Sequence, residues 1–167
     1  MTCVIGLRVA GEAWIASDGL VSDSQTRSVI ASSKHERMGA SLVGWSGTLG
    51  HAQFAMRVAR GTSSAANRVE GLADALRSTV RREGIEEFGA ELLIVRADGI
   101  FEVDSSFGVT HHADHFAAIG SGAAYALGVL AATASASMDP FERLKLALEV
   151  AAKYDNATGG TFNLERL

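Results

Sequence analysis

The apolar residues of this chain change their spacing in blocks, and that change of period limits what the chain can fold into. Before residue 49 they recur at strand spacing. The segment Cys3–Val9 is β-rich, and Ala10-Gly11-Glu12 forms a short turn before Ala13–Ser17, the pattern of a hairpin. Thr26–Ala31 and Ser41–Trp45 are further strand candidates, separated by the polar run SSKHERMG. The period then becomes helical. Leu49, Ala52, Met56 and Ala59 share one stripe, and Val69, Leu72, Leu76 and Val80 share another. The intervening GTSSAAN reads as a loop.

Strand spacing returns at Glu91–Arg96 and Ile100–Val103, around the turn Ala97-Asp98-Gly99, with Ala117–Ile119 as a short additional strand. A small-residue helix is predicted from about Gly122 to Ala132. The last helix has Asp139 as N-cap, Pro140 at the first helical position and Glu142 at the third, with a stripe of Phe141, Leu144, Leu148 and Ala151. A strand over Thr161–Leu167 closes the chain. Two helix pairs alternating with antiparallel strands bury every stripe if two sheets are sandwiched between the pairs. The predicted fold is therefore α+β, a four-layer αββα sandwich over residues 1–167 as a single domain, since one proline and no low-complexity block leave no linker.

Composition narrows the function. The net charge of −4 argues against a broad nucleic-acid surface. One cysteine, Cys3, allows no internal disulfide and reads as a small buried strand residue. The first residues lack a basic region followed by a long apolar one, and Ala123–Ala134 is too short to cross a bilayer, so a cytoplasmic location and no membrane partner are expected.

Thr2 is the residue from which the chemistry is read. A threonine hydroxyl is a weak nucleophile without a base, and a chain's own α-amino group, with an ordinary pKa of ~7.7–8.0, can serve as one. Thr is small enough for an aminopeptidase to remove the preceding Met1. Sixteen residues after Thr2 stands Asp18, in Ser17-Asp18-Gly19, and sixteen further on stands Lys34. Only Lys34, Lys145 and Lys153 are lysines, and an ammonium can be tuned by burial where a guanidinium cannot.

This spacing resembles the start of HslV and proteasome β subunits, threonine N-terminal-nucleophile hydrolases. Gly44-Trp45-Ser46-Gly47-Thr48, Ile119-Gly120-Ser121-Gly122 and Asp155-Asn156-Ala157-Thr158-Gly159 resemble further motifs of that family. The resemblance implies that Thr2 is the nucleophile, that Asp18 orients Lys34, and that the Gly47 N–H binds the oxyanion, with Gly44 the weaker candidate. It implies that Ser121 hydrogen-bonds the amine of Thr2 and that Asp155 and Thr158 support the site. The substrate pocket would be lined by Val21, Ser32, Glu36, Trp45, Leu49 and Gln53. Glu36 would make it acidic and Trp45 shallow, giving a preference for small or basic side chains. A peptide or unfolded-protein substrate, a homo-oligomeric ring of six or more subunits and an ATPase unfoldase partner are implied as well.

The chemistry calls for no cofactor and no metal. His111-His112-Ala113-Asp114-His115 is the one metal-like cluster, and it reads as a solvated loop. Two rival readings keep the fold: a small-molecule amidase or acylase, and a non-catalytic ring-forming protein that retains Met1.

Overall fold

The computed structural model describes residues 2–22, 25–62 and 68–167. Its strands are β1 (Val4–Val9), β2 (Glu12–Ser17), β3 (Leu20–Ser22), β4 (Arg27–Val29), β5 (His35–Met38), β6 (Ser41–Gly47), β7 (Ala90–Val95), β8 (Ile100–Val103), β9 (Val109–His111), β10 (Phe116–Ile119) and β11 (Asn163–Arg166). The helices are α1 (Leu49–Thr62), α2 (Val69–Arg82), α3 (Ala123–Ala132) and α4 (Pro140–Tyr154). One sheet has the order β10-β1-β2-β11, a second β5-β6-β7-β8-β9, and β3 and β4 form a separate ribbon. Every pairing is antiparallel.

Strand alternation explains the layers. In β1 and just before it, Cys3, Ile5 and Leu7 pack with Leu130, Leu144 and Leu148 of α3 and α4. Val4, one step out of phase, faces the other sheet with Ile15, Leu42, Leu93 and Val95. In the second sheet Val43, Trp45, Leu92 and Ile94 turn outward onto Ala52, Met56, Leu72 and Leu76 of α1 and α2. Three apolar interfaces thus separate four layers, which is the αββα sandwich expected. Glu91–Val95 reads as a nearly continuous apolar run because a central strand here is covered on both faces.

Local signals act where they were read. The β1–β2 turn is Ala10-Gly11, with both residues at positive φ, and Glu12 already belongs to β2. The Asp139 carboxylate accepts the Phe141 N–H, with Pro140 in the first turn of α4. Four differences stand out. The run SSKHERMG contains β5, and β9 includes His111; both are edge strands, where charged and polar side chains replace the apolar alternation. Helix α1 continues through Gly61 and Thr62, so the loop read there starts later, and its remainder lies outside the described residues. Phe141 is 43% exposed, and the buried stripe of α4 runs instead through Leu144, Ala147, Leu148 and Ala151. Leu49, read on the buried stripe of α1, is also partly exposed, at the mouth of a cleft. No helix among the described residues is long and apolar enough to cross a membrane.

Candidate active site

Thr2, Asp18 and Lys34 come from three different segments and meet at one end of the sandwich, all of them buried. Thr2 is held from the strand that follows it. The Cys3 N–H donates to Asp18 Oδ1 at 2.9 Å, and the Asp18 N–H returns a bond to the Cys3 carbonyl at 3.1 Å. The other oxygen of Asp18 accepts the N–H groups of Leu20, at 3.1 Å, and of Gly159, at 3.0 Å. Lys34 Nζ completes the set, 2.8 Å from Asp18 Oδ1. Four donors surround one fully buried carboxylate, so its charge is compensated on every side.

The ammonium of Lys34 has three N–H bonds, and the structure provides three acceptors. They are Asp18 Oδ1, the Leu20 carbonyl and Thr2 Oγ1, the last at 2.7 Å. Burial lowers the pKa of Lys34, and the Asp18 carboxylate opposes that shift. Because Lys34 donates to Thr2 Oγ1, it stabilises negative charge on that oxygen and leaves the hydroxyl proton directed elsewhere. The neighbouring Cys3 thiol is pushed up to about 12 by burial and by Asp18 and Asp155, which keeps it an unreactive packing group.

A second cluster secures the backbone of Thr2. Its carbonyl accepts the Gly122 N–H at 3.3 Å, and the Ser121 hydroxyl lies 3.5 Å from the same oxygen. The family resemblance implies a bond from Ser121 to the Thr2 amine; in the structure its hydroxyl meets the Thr2 carbonyl and donates to Asp155 Oδ2 at 2.6 Å. Thr158 donates to the same Asp155 oxygen at 2.6 Å. Burial raises the pKa of Asp155, but the bonds from Ser121, Thr158 and the Ala157 N–H outweigh it and hold the carboxyl below its ordinary value. Met1 lies outside the described residues.

Gly47 ends β6 beside Thr2. Its φ is +100°, and a Cβ there would stand 2.1 Å from the Gly89 carbonyl oxygen, so only glycine fits. Gly44 points between the sheets, where a Cβ would meet Val4 at 2.5 Å. Packing accounts for that glycine, and Gly47 remains the oxyanion candidate. Gly120, which side-chain reasoning passed over, approaches so closely that a Cβ would lie 2.2 Å from the Thr2 carbonyl oxygen. The backbone groups of Leu20 and Gly159 were missed too, because no side-chain identity announces them.

Thr2 opens onto a cleft of about 500 Å3 lined by Val21, Trp45, Gly47 and Leu49. Trp45 and Leu49 also border a neighbouring depression of about 480 Å3 that contains Ser32, Glu36 and Gln53. On the other side, Gly47 is shared with a depression of about 460 Å3 that reaches Ser121 and Glu91. The residues expected in one pocket are thus divided over two adjoining depressions that share Trp45 and Leu49, and the expected acidic charge is compensated. The Glu36 carboxylate is gripped by Arg60 through two bonds of 2.7 Å, and Arg57 stands on the same wall. Both arginines lie one and two helical turns beyond Gln53 on α1, and their charges remove the acidic character expected from Glu36.

The histidine cluster is spread over different surroundings. His111 stacks on Phe101 with centroids 4.4 Å apart, His112 Nε2 lies 3.2 Å from Glu102, and the His115 carbonyl accepts the Arg8 N–H. No metal-binding group of side chains occurs among the described residues.

The HslV subunit of an ATP-dependent protease from Caldicellulosiruptor saccharolyticus is 29% identical over 160 residues, spanning 90% of this chain and 89% of that protein. A structure of Thiobacillus denitrificans BPH in complex with epoxomicin superposes with a TM-score of 0.85 at 23% identity, covering 99% of this chain and 98% of that one. Eukaryotic HslV from Trypanosoma brucei also gives 0.85, at 21% identity and 99% coverage of both chains. These two structures share the sandwich fold. A family model described as proteasome subunit matches residues 1–166, so the chain belongs to the proteasome subunit family.

Proposed function

We propose that this chain is a threonine peptidase of an HslV-like ring, acting through an acyl-enzyme on Thr2 once Met1 has been removed. The observation that carries the reading is the buried Lys34 ammonium donating at once to Thr2 Oγ1 and Asp18 Oδ1. The free amine of Thr2, through a water, takes the hydroxyl proton as Oγ1 attacks the peptide carbonyl. Lys34 stabilises the developing alkoxide, and the Gly47 N–H binds the oxyanion. Collapse of the tetrahedral intermediate breaks the C–N bond; the amine returns its proton to the leaving nitrogen, and water hydrolyses the ester. Asp18 fixes Lys34, and Asp155, Ser121 and Thr158 hold the N-terminal strand. Residues 1–167 act as one catalytic domain.

Depressions on both sides of the Thr2 cleft favour an extended peptide over a small amide, since each shares lining residues with the cleft. A relative covering most of the chain is a subunit of an ATP-dependent protease, which supports assembly with further subunits and an ATPase partner; a ring and a cytoplasmic setting are part of the same proposal. A β-lactone or boronate probe tests the nucleophile. Native protein is expected to show a mass lacking Met1 and to take up one probe per chain, and Thr2→Ala is expected to abolish labelling and peptide cleavage while assembly persists. Labelling that survives in Thr2→Ala, or native material that retains Met1, overturns the reading and leaves the non-catalytic ring.

A further inference from the structure

The depression beyond Trp45 holds four ionisable side chains, His35, Glu36, Arg57 and Arg60. Two of them cancel, because Arg60 grips both oxygens of Glu36. The Nδ1 atom of His35 lies 2.9 Å from Ser17 Oγ and 3.0 Å from Ser33 Oγ, and burial brings its pKa down to about 4, so the ring is neutral near neutral pH. One cation remains. The guanidinium of Arg57 is exposed, rests 5.4 Å from the centroid of the Phe54 ring, and forms no ion pair among the described residues. Beside it Ser32 and Gln53 add hydrogen-bond donors to the same wall.

We propose that Arg57 makes this depression a subsite for acidic side chains, selecting peptides with Glu or Asp at the residue whose carbonyl Thr2 attacks. The proposal rests on the peptidase reading above. Trp45 and Leu49 border both the Thr2 cleft and the depression, so a side chain next to the scissile carbonyl enters past Leu49. A carboxylate arriving there meets a guanidinium with no ion pair among the described residues, which can bind it through two parallel N–H bonds. A substrate lysine or arginine meets the same guanidinium and finds the carboxylate of Glu36 already occupied.

The test is a peptide series that differs only at that residue, with Glu, Gln, Leu or Lys, assayed on the assembled protein. Wild-type kcat/KM for Glu is expected to exceed that for the isosteric Gln by about fivefold, the size of one exposed ion pair, with Lys poorest. Arg57→Gln is expected to bring the Glu:Gln ratio to about one, and Arg57→Glu to shift preference toward Lys. Because the readout is a ratio within each variant, a partly folded or slower variant still reports. A wild-type ratio of one or below, or a ratio unchanged in Arg57→Gln, overturns the assignment of Arg57. The β-lactone separates the two readings: cleavage and labelling without charge preference remove only the role of Arg57, and absence of both removes the peptidase reading with it.

Discussion

Two clusters of charge stand within a few residues of each other on this chain and obey different physics. Lys34 and Asp18 are fully buried, and each polar atom of the pair has a partner from backbone or side chain. Glu36 and Arg60, two residues further along and across on α1, form a bidentate pair at a surface where the arginine side chain is 57% exposed. The first arrangement holds because removing either partner strands a charge away from water. The second is screened by water and salt, and its main effect is to change which charges a ligand meets. Burial makes a charge pair a structural commitment; exposure leaves it a matter of specificity.

The difference can be broken from the buried side with the largest effect. Lys34→Met keeps the side-chain length and leaves the Asp18 carboxylate facing a thioether. It is expected to destabilise the fold by about 3–5 kcal/mol, read by denaturant unfolding, and Lys34→Met with Asp18→Asn is expected to recover much of that loss. A single variant as stable as wild type would place both clusters in the same class.

His35 lies between the clusters and shares the burial of the first. Its folded pKa is depressed to about 4, against about 6.5 when unfolded. Between those values the unfolded chain binds a proton that the folded chain refuses, so stability falls as pH drops from about 6.5 to 4, by up to about 3 kcal/mol. His35→Gln is expected to flatten that part of the stability–pH curve. An unchanged slope would show that another group governs it.

The smallest effect belongs to the exposed pair. Arg60→Ala is expected to cost under about 1 kcal/mol in thermal or denaturant unfolding, and less at high salt. It frees Glu36, and with it the tolerance for a basic substrate side chain that the sequence suggested. A loss of several kcal/mol would instead show that this pair supports α1.

Much of the fold was legible because the apolar period is a local record of burial. The stripe Val69, Leu72, Leu76, Val80 is buried as read, and the Asp139-Pro140 start of α4 stands where its capping chemistry placed it. Strands β5 and β9 were not legible. They sit at the edges of the larger sheet, where polar residues protect an open edge and erase the alternation. In the site, Thr2, Asp18 and Lys34 were legible as residue types at intervals. Their backbone partners at Leu20, Gly122 and Gly159 were not, since an N–H or a carbonyl is present at nearly every position and only its direction distinguishes it.

The sequence by itself therefore determined the layers, the capped start of α4 and the residue types that gather around Thr2, because each follows from spacing and side-chain chemistry along a few neighbouring residues. Only the tertiary structure decided the charge of the depression beside the Thr2 cleft and the hydroxyl partners of Ser121. Glu36 and Arg60 are 24 residues apart, as are many pairs that never meet, and the position of Ser121 along the chain does not say that its hydroxyl meets the Thr2 carbonyl and Asp155. Electrostatic compensation depends on distance in space and on exposure to water, and neither is written along the chain.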